Sequence, residues 1–366
     1  MPEIQPPPLR NDCFALPPGV DWTPVAEAKS LLRQALSVVV SSGQLIAVEE
    51  ACDRILSSDI GAVRSNPPGS NSAVDGYGFA GPIAEGPQIM DLCEGRAAAG
   101  VPFQGRVEPG QACRILTGAI LPEGVDTVVL EEDCTIEPNR IAFNGPLKQW
   151  SNTREAGEDV ILGTPIFQAG RRLTSTDLSL LASAGVAEVN VYSRLRVGVL
   201  STGDELRMPG QTADDWQIYD ANRLMLLSMI RDLGFEAVDL GLVEDSRDTV
   251  RDTLNQGAQL CDLIITSGGA SAGDEDHISA ILKAEGQLTS WRIALKPGRP
   301  LALGVWNETP VIGLPGNPVA AWVCTMVFGR PAMEVLAGGL WREPRGYQVV
   351  AAFTKKKRRG RSEYLR

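Results

Sequence analysis

From about residue 194 to residue 318, short apolar runs alternate with helix-length segments, and this alternation constrains the fold more than any other feature. Val197-Gly-Val-Leu200 reads as a buried strand, followed by Ser201-Thr-Gly-Asp-Glu205. Asp220-Ala-Asn222 opens a helix carrying Leu224, Leu227 and Ile230, closed by Gly234. A second strand over 236–242 runs into Val243-Glu-Asp245, Val250 and Leu254 mark another helix, and 263–265 is a third strand. Apolar strands separated by helices predict a parallel sheet covered on both faces. Ligands of such sheets bind beyond the carboxyl ends of the strands.

Three successive strand ends carry acids, namely Glu205, Asp245 and Asp276. One acid at a strand end is commonly a helix cap. Three converging on one edge favour a Mg²⁺-assisted phosphate site over that ordinary role. The loop before Asp276 reads Ser267-Gly-Gly-Ala-Ser-Ala-Gly-Asp-Glu-Asp276. Ser267, Gly268, Gly269 and Ser271 let backbone amides and hydroxyls approach an oxyanion, although glycine-rich turns after strands are also common in their own right.

Positive charge enters next. Trp291-Arg292-Ile-Ala-Leu-Lys296-Pro-Gly-Arg299-Pro300 is a strand running into a turn that holds Lys296 and Arg299 close together, a pair suited to a tetrahedral oxyanion or to a solvated surface turn. The next strand passes Pro315 and enters a helix at Gly316-Asn317-Pro318, where Asn317 is a cap.

The net charge of −11 argues against a nucleic-acid binder, so an anionic substrate needs local basic groups or a metal. Seven cysteines are scattered singly, which fits neither a disulfide framework nor a zinc site. His277 is the only histidine, leaving catalysis to carboxylates, lysines, arginines and a hard cation. No apolar run is expected to reach the ~20 residues of a membrane span, residues 1–10 are polar and Pro-rich, and cytoplasmic residence is the default.

Ahead of the α/β region, Thr23-Pro24 starts a helix that ends by Gly43, and a second short helix is expected over 49–56. Between about 60 and 145, Gly and Pro recur every few residues around short strand-like runs such as 113–116 and 127–130, predicting a small inserted β-barrel-like domain. Gly76-Tyr-Gly78-Phe-Ala-Gly81 has dinucleotide-binding spacing, but Pro82 and Pro87 forbid the helix that the motif requires. Asp75 sits beside it in a polar loop, as a functional acid or an ordinary turn aspartate. Helical spacing resumes over 176–185, and beyond Gly338 the chain turns β-like at 347–353 before the basic run Lys355-Lys-Lys-Arg-Arg-Gly-Arg361.

Together these motifs resemble the molybdopterin molybdenumtransferase family (MoeA and the E domain of gephyrin). The matching stretches are Ser72-Ala-Val-Asp75-Gly-Tyr77, Thr117-Gly-Ala-Ile-Leu-Pro122, Arg154-Glu-Ala-Gly157-Glu-Asp159 and Ser201-Thr-Gly-Asp-Glu205, then Asp220-Ala-Asn222, the 267–276 loop, Lys296-Pro-Gly-Arg-Pro300 and Gly313-Leu-Pro-Gly-Asn-Pro318. The resemblance implies a multidomain α/β plus β chain. Residues 1–58 and 146–190 would form a discontinuous elongated domain, 59–145 the inserted β domain, 191–332 the molybdopterin-binding-like α/β domain with a parallel-type sheet, and 333–366 the start of an incomplete C-terminal β domain.

It also implies a Mg²⁺-dependent transferase that converts adenylyl-molybdopterin and molybdate to molybdenum cofactor and AMP. That enzyme would be a homodimer and would receive its substrate from the molybdopterin adenylyltransferase. Asp75 and Thr117 match cleft residues facing the other subunit. Asp159, Glu205, Asp245 and Asp276 match acidic positions, the last three as metal ligands. Lys296 and Arg299 match the molybdate-binding turn, with Pro315 and Pro318 shaping it and Arg361 completing it; Arg292 and Arg299 stand where the family often has lysine. The competing readings are an adenylyltransferase-like enzyme, which would not need the β domain, and a gephyrin-like scaffold, for which no long linker is present.

Overall fold

The computed structural model describes residues 22–41, 43–268, 277–298, 300–344, 346–355 and 360–365. Its centre is a six-stranded sheet in the order Glu236–Val243, Arg196–Thr202, Leu263–Ser267, Thr309–Leu314, Pro300–Trp306, Gln287–Arg292. The first four strands are parallel, as the apolar alternation requires. Pro300–Trp306 runs antiparallel to both of its neighbours, which corrects the expectation of a parallel sheet. The cause is a tight turn at Asn307-Glu308, whose φ angles of 46° and 67° fold the chain back so that Trp306 pairs with Thr309.

The period of two along these strands divides the core. Val197, Val199, Leu263, Ile265, Ile312 and Leu314 pack with the helix Ala221–Asp232 and the helical run beginning at Pro318. Leu200, Ile264 and Val311 pack with Arg247–Leu260 and His277–Glu285. Helices therefore cover both faces, and the strand ends are left open as an edge.

The expectation about membrane-length segments needs one amendment. Pro318–Leu336 is helical over 19 residues with a mean hydropathy of 1.3, passing through a π-helical stretch at Thr325–Gly329. Its most apolar window is 72% buried within the fold, so its length and composition are those of a core helix.

A second six-stranded sheet runs in the order Thr127–Leu130, Gly76–Phe79, Gln111–Ile115, Ile83–Ala97, Arg140–Leu147, Thr135–Glu137. Its outermost strands do not pair with each other, so the ladder of this barrel-like domain is open. Tyr77, Phe79, Met90, Ile141 and Phe143 form its core. The Gly76-x-Gly78-x-x-Gly81 spacing belongs to a packed strand and its end: a Cβ on Gly76 would lie 1.9 Å from the Val129 carbonyl oxygen, and one on Gly81 2.2 Å from Thr127 Oγ1.

The N-terminal helix Val25–Ala35 stops earlier than expected, because Leu36 is extended and the Val39 N–H donates to the Leu336 carbonyl. A helix over 49–56 does not form. Only Val48–Glu50 makes a 3₁₀ turn, since Asp53 adopts φ 60° and gives its N–H to the Leu173 carbonyl. The helix Ser175–Ser183 is held at its start by a capping box between Thr174 and Asp177. Residues 347–353, expected as a strand, carry none: Tyr347, Val349 and Val350 are 85–98% exposed and, among the described residues, no neighbouring strand takes up their backbone groups.

Candidate active site

The open edge carries a continuous polar seam. Ser201 and Ser267 are register partners at the ends of adjacent parallel strands, and both are buried. Asn222, in the first turn of Ala221–Asp232, donates from Nδ2 to Ser267 Oγ at 2.8 Å and to the Gly316 carbonyl at 2.7 Å. One side-chain amide thus joins two strand-end loops. Asp220 caps that helix by accepting from the Arg223 N–H, which fixes where Asn222 points.

On the other side of the Arg196–Thr202 strand, Thr202 Oγ1 donates to Asp245 Oδ1 at 2.8 Å and orients the half-buried carboxylate. Glu205 is exposed and folds back over Gly203: a Cβ there would meet its carboxylate oxygen at 2.8 Å. Gly268 has φ 90°, and its added Cβ would lie 3.0 Å from the Thr202 carbonyl, so the loop leaves its strand in a conformation suited to glycine. Among the described residues, no three acidic, His or Cys groups cluster as a metal site. Gly269, Ser271, Asp276 and Arg299 lie outside the described residues.

Lys296 lies along the same edge. Its turn rests on the helix Pro318–Cys324, where a Cβ on Gly298, at φ 100°, would come 2.7 Å from Cys324 Sγ and 3.5 Å from Ala320. Leu295–Lys296 pairs in parallel with Ser362–Glu363, and the Tyr364 N–H donates to the Lys296 carbonyl at 2.8 Å. The result is a cavity of about 350 Å³ lined by Lys296, Pro297, Asn317, Val319, Lys355, Glu363, Tyr364 and Leu365. Glu363 pairs with Arg361 at 2.7 Å and Lys355 at 3.2 Å, and the Arg361 guanidinium foremost holds its carboxyl below the ordinary range. Arg292 ends the edge strand opposite Pro300, Pro315 is buried, and Pro318 is exposed at the first position of its helix. Gly316 on the Asn222 side and Asn317 in the cavity wall are consecutive, so acidic strand ends and basic turn share one edge.

Asp75 and Thr117 meet on the β sheet. Asp75 Oδ1 accepts from Thr117 Oγ1 at 2.6 Å and from the Thr117 N–H at 2.7 Å. The Thr117 hydroxyl foremost, then its N–H, lowers the Asp75 pKa. Asp159 accepts from Arg154 Nη2 at 2.5 Å and from Asn66, and the Thr153–Arg154 strand pairs with Asn71–Ser72 just before Asp75. These three residues are thereby linked through the polar loop, on a different element from the acidic edge.

The MoeA N-terminal region (domains I and II) matches residues 23–185, and a probable molybdopterin binding domain matches 198–335. The molybdopterin molybdenumtransferase of Haemophilus influenzae is 39% identical over 343 residues, 93% of this chain and 84% of its own length. The chain belongs to the molybdopterin molybdenumtransferase family. Its Nostoc sp. relative of the same name is 32% identical over 81% of this chain and 70% of that one. The molybdopterin biosynthesis MoeA protein from Pyrococcus horikoshii superposes with a TM-score of 0.73 at 25% identity, over 87% of this chain and 80% of that one.

Within this molybdenumtransferase fold, sequence reading left several edge residues without a role. Asn222 was visible only as part of a helix start, and Thr202 only as part of a loop. Asn317 was read as a cap, yet its side chain also faces the cavity. Lys355 was visible only as the start of a basic run and Glu363 had no role, because the pairing of Leu295–Lys296 with Ser362–Glu363 brings them there.

Proposed function

We propose that this chain inserts molybdenum during molybdenum cofactor biosynthesis, converting adenylyl-molybdopterin and molybdate to molybdenum cofactor and AMP. The observation that carries this reading is the edge on which Asn222 and the Gly316-Asn317 turn join the acidic strand ends to the Lys296 cavity. Lys296, Arg299 and Arg361 supply positive charge for the tetrahedral molybdate dianion, with Arg292 nearby in sequence. Ser267, Gly268, Gly269 and Ser271 offer hydroxyls and backbone amides to the adenylate phosphate. Cleaving a phosphoanhydride depends on orientation and charge neutralisation more than on covalent help.

Glu205 and Asp245 present hard oxygen donors at adjacent strand ends, one exposed and one oriented by Thr202, which suits Mg²⁺ together with Asp276. The ion would neutralise charge on the phosphate as AMP departs. Asp75, Thr117 and Asp159 form a second wall that we place opposite the α/β edge of the other subunit in a homodimer. This arrangement goes with a discontinuous domain over 1–58 and 146–190, an inserted β domain over 59–145, an α/β domain over 191–332 and a further β segment over 333–366. The substrate would come from the adenylyltransferase that makes it, in the cytoplasm.

Release of AMP from adenylyl-molybdopterin in the presence of molybdate tests the reading. Asp276→Ala is expected to abolish release while circular dichroism and the thermal midpoint stay unchanged. Undiminished release by that variant would overturn the assignment.

A further inference from the structure

Asn222 is only 7% exposed and lies between two loops that the proposed reaction uses. The Gly316 carbonyl is an acceptor only, so the group facing it must be the NH₂ of the amide, and this fixes which way the side chain is turned. The same NH₂ donates its other hydrogen to Ser267 Oγ. A hydroxyl that accepts there keeps its own hydrogen for another acceptor. Ser201, its register partner, is not that acceptor: Ser201 Oγ is fully buried and, among the described residues, unpartnered. Asn222 Oδ1 is likewise buried without a hydrogen-bond partner among the described residues. A buried polar seam with unmet bonding capacity is costly to the fold, and it lies directly under the substrate edge.

We infer that Asn222 is a positioning residue, a clamp that holds the 267–268 loop and the Gly316-Asn317 turn in register and makes Ser267 a donor toward the substrate phosphate. The inference rests on the function proposed above. It predicts a coupling between loops that lie on separate strands, since Ser267 is 45 residues and Gly316 94 residues from Asn222 in sequence.

The test uses the full chain with Asn222→Ala and Asn222→Asp. The aspartate keeps the shape but, when ionised, sets an acceptor against the Gly316 carbonyl; when protonated it recovers one donor. The clamp predicts a kcat for AMP release lower by about 10–100-fold at pH 8, the scale of a small misplacement of reacting groups, with KM for molybdate within about twofold. Burial raises the pKa of the introduced carboxyl, so the aspartate variant should regain part of its kcat, relative to the parent chain, between pH 8 and pH 6. Independently of activity, amide hydrogen exchange should quicken at both 267–268 and 316–317 in Asn222→Ala. Parent-like kcat, a fixed deficit across pH, or quickened exchange at neither or only one of the two loops would overturn the inference. Failure of both variants to fold would do the same, by showing that the amide serves the fold alone. A parent chain that releases no AMP would refute the proposed function instead, and the exchange measurement would still judge the clamp.

Discussion

Asp75 and Thr117 show how a single exposed carboxylate is tuned. Two donors from one residue favour the ionised form, so the folded pKa lies below the ordinary value of about 3.9. For a group depressed in this way, the contribution to stability is present above the unfolded pKa and lost as pH falls through the folded one. Asp75 therefore stays charged throughout the physiological range. Thr117→Val removes the larger of the two causes and leaves the backbone N–H in place. A carboxyl-carbon NMR titration should show the Asp75 midpoint rising part of the way to its ordinary value, whereas an unmoved midpoint would show that the hydroxyl contributes nothing.

The helical run 318–336 ties the α/β body to the N-terminal segment through Arg172 and Glu334. Their side chains are 10% and 6% exposed and pair at 3.0 Å, and the same guanidinium donates to the Asp53 carbonyl and stacks 4.8 Å from the Phe235 ring centroid. Removing one partner of a buried pair leaves the other charge uncompensated, at about 3–5 kcal/mol. Glu334→Ala should lose stability on that scale in urea unfolding, and a loss below about 1 kcal/mol would place the pair among weak surface bridges.

The same elements show what was legible in advance. The strands of the α/β body were readable because each apolar run has its own punctuation, and the two core faces follow from their alternation. The antiparallel edge was not, because its turn uses Asn307-Glu308, with Glu at a positive φ where glycine is the usual signal. Residues 347–353 mimicked a strand because Tyr347, Val349, Val350 and Phe353 have the side chains strands favour, while pairing needs a partner. Glu205, Asp245, Ser267 and Lys296 were visible as strand-end residues, and the structure places all four along the α/β edge. Asn222 escaped because its contacts reach 45 and 94 residues along the chain, beyond any local pattern.

The molecule as a whole is acidic, and among the described residues a small cavity with basic side chains stands out against it. Against a net charge of −11, Lys296, Lys355 and Arg361 concentrate positive charge, among the described residues, around this cavity. Glu363 already occupies part of that field, paired to two of the three cations, so Lys296 is the cation in the cavity wall best placed to bind an incoming oxyanion. Gly298 packs its turn on the Pro318 helix, and Asn317 in the cavity wall follows Gly316, whose carbonyl Asn222 holds. The central claim is that cavity and edge act as one site, with molybdate entering at Lys296 and adenylate leaving from the strand ends.

The molybdate dependence of AMP release in Lys296→Ala, set beside that of the parent chain, tests this claim most directly. Removing one unit charge from the binding turn should raise KM for molybdate by at least about tenfold, the equivalent of about 1.4 kcal/mol, while AMP release recovers at saturating molybdate. An unchanged molybdate dependence would contradict the account, since the cavity would then take no part in the reaction at the acidic edge.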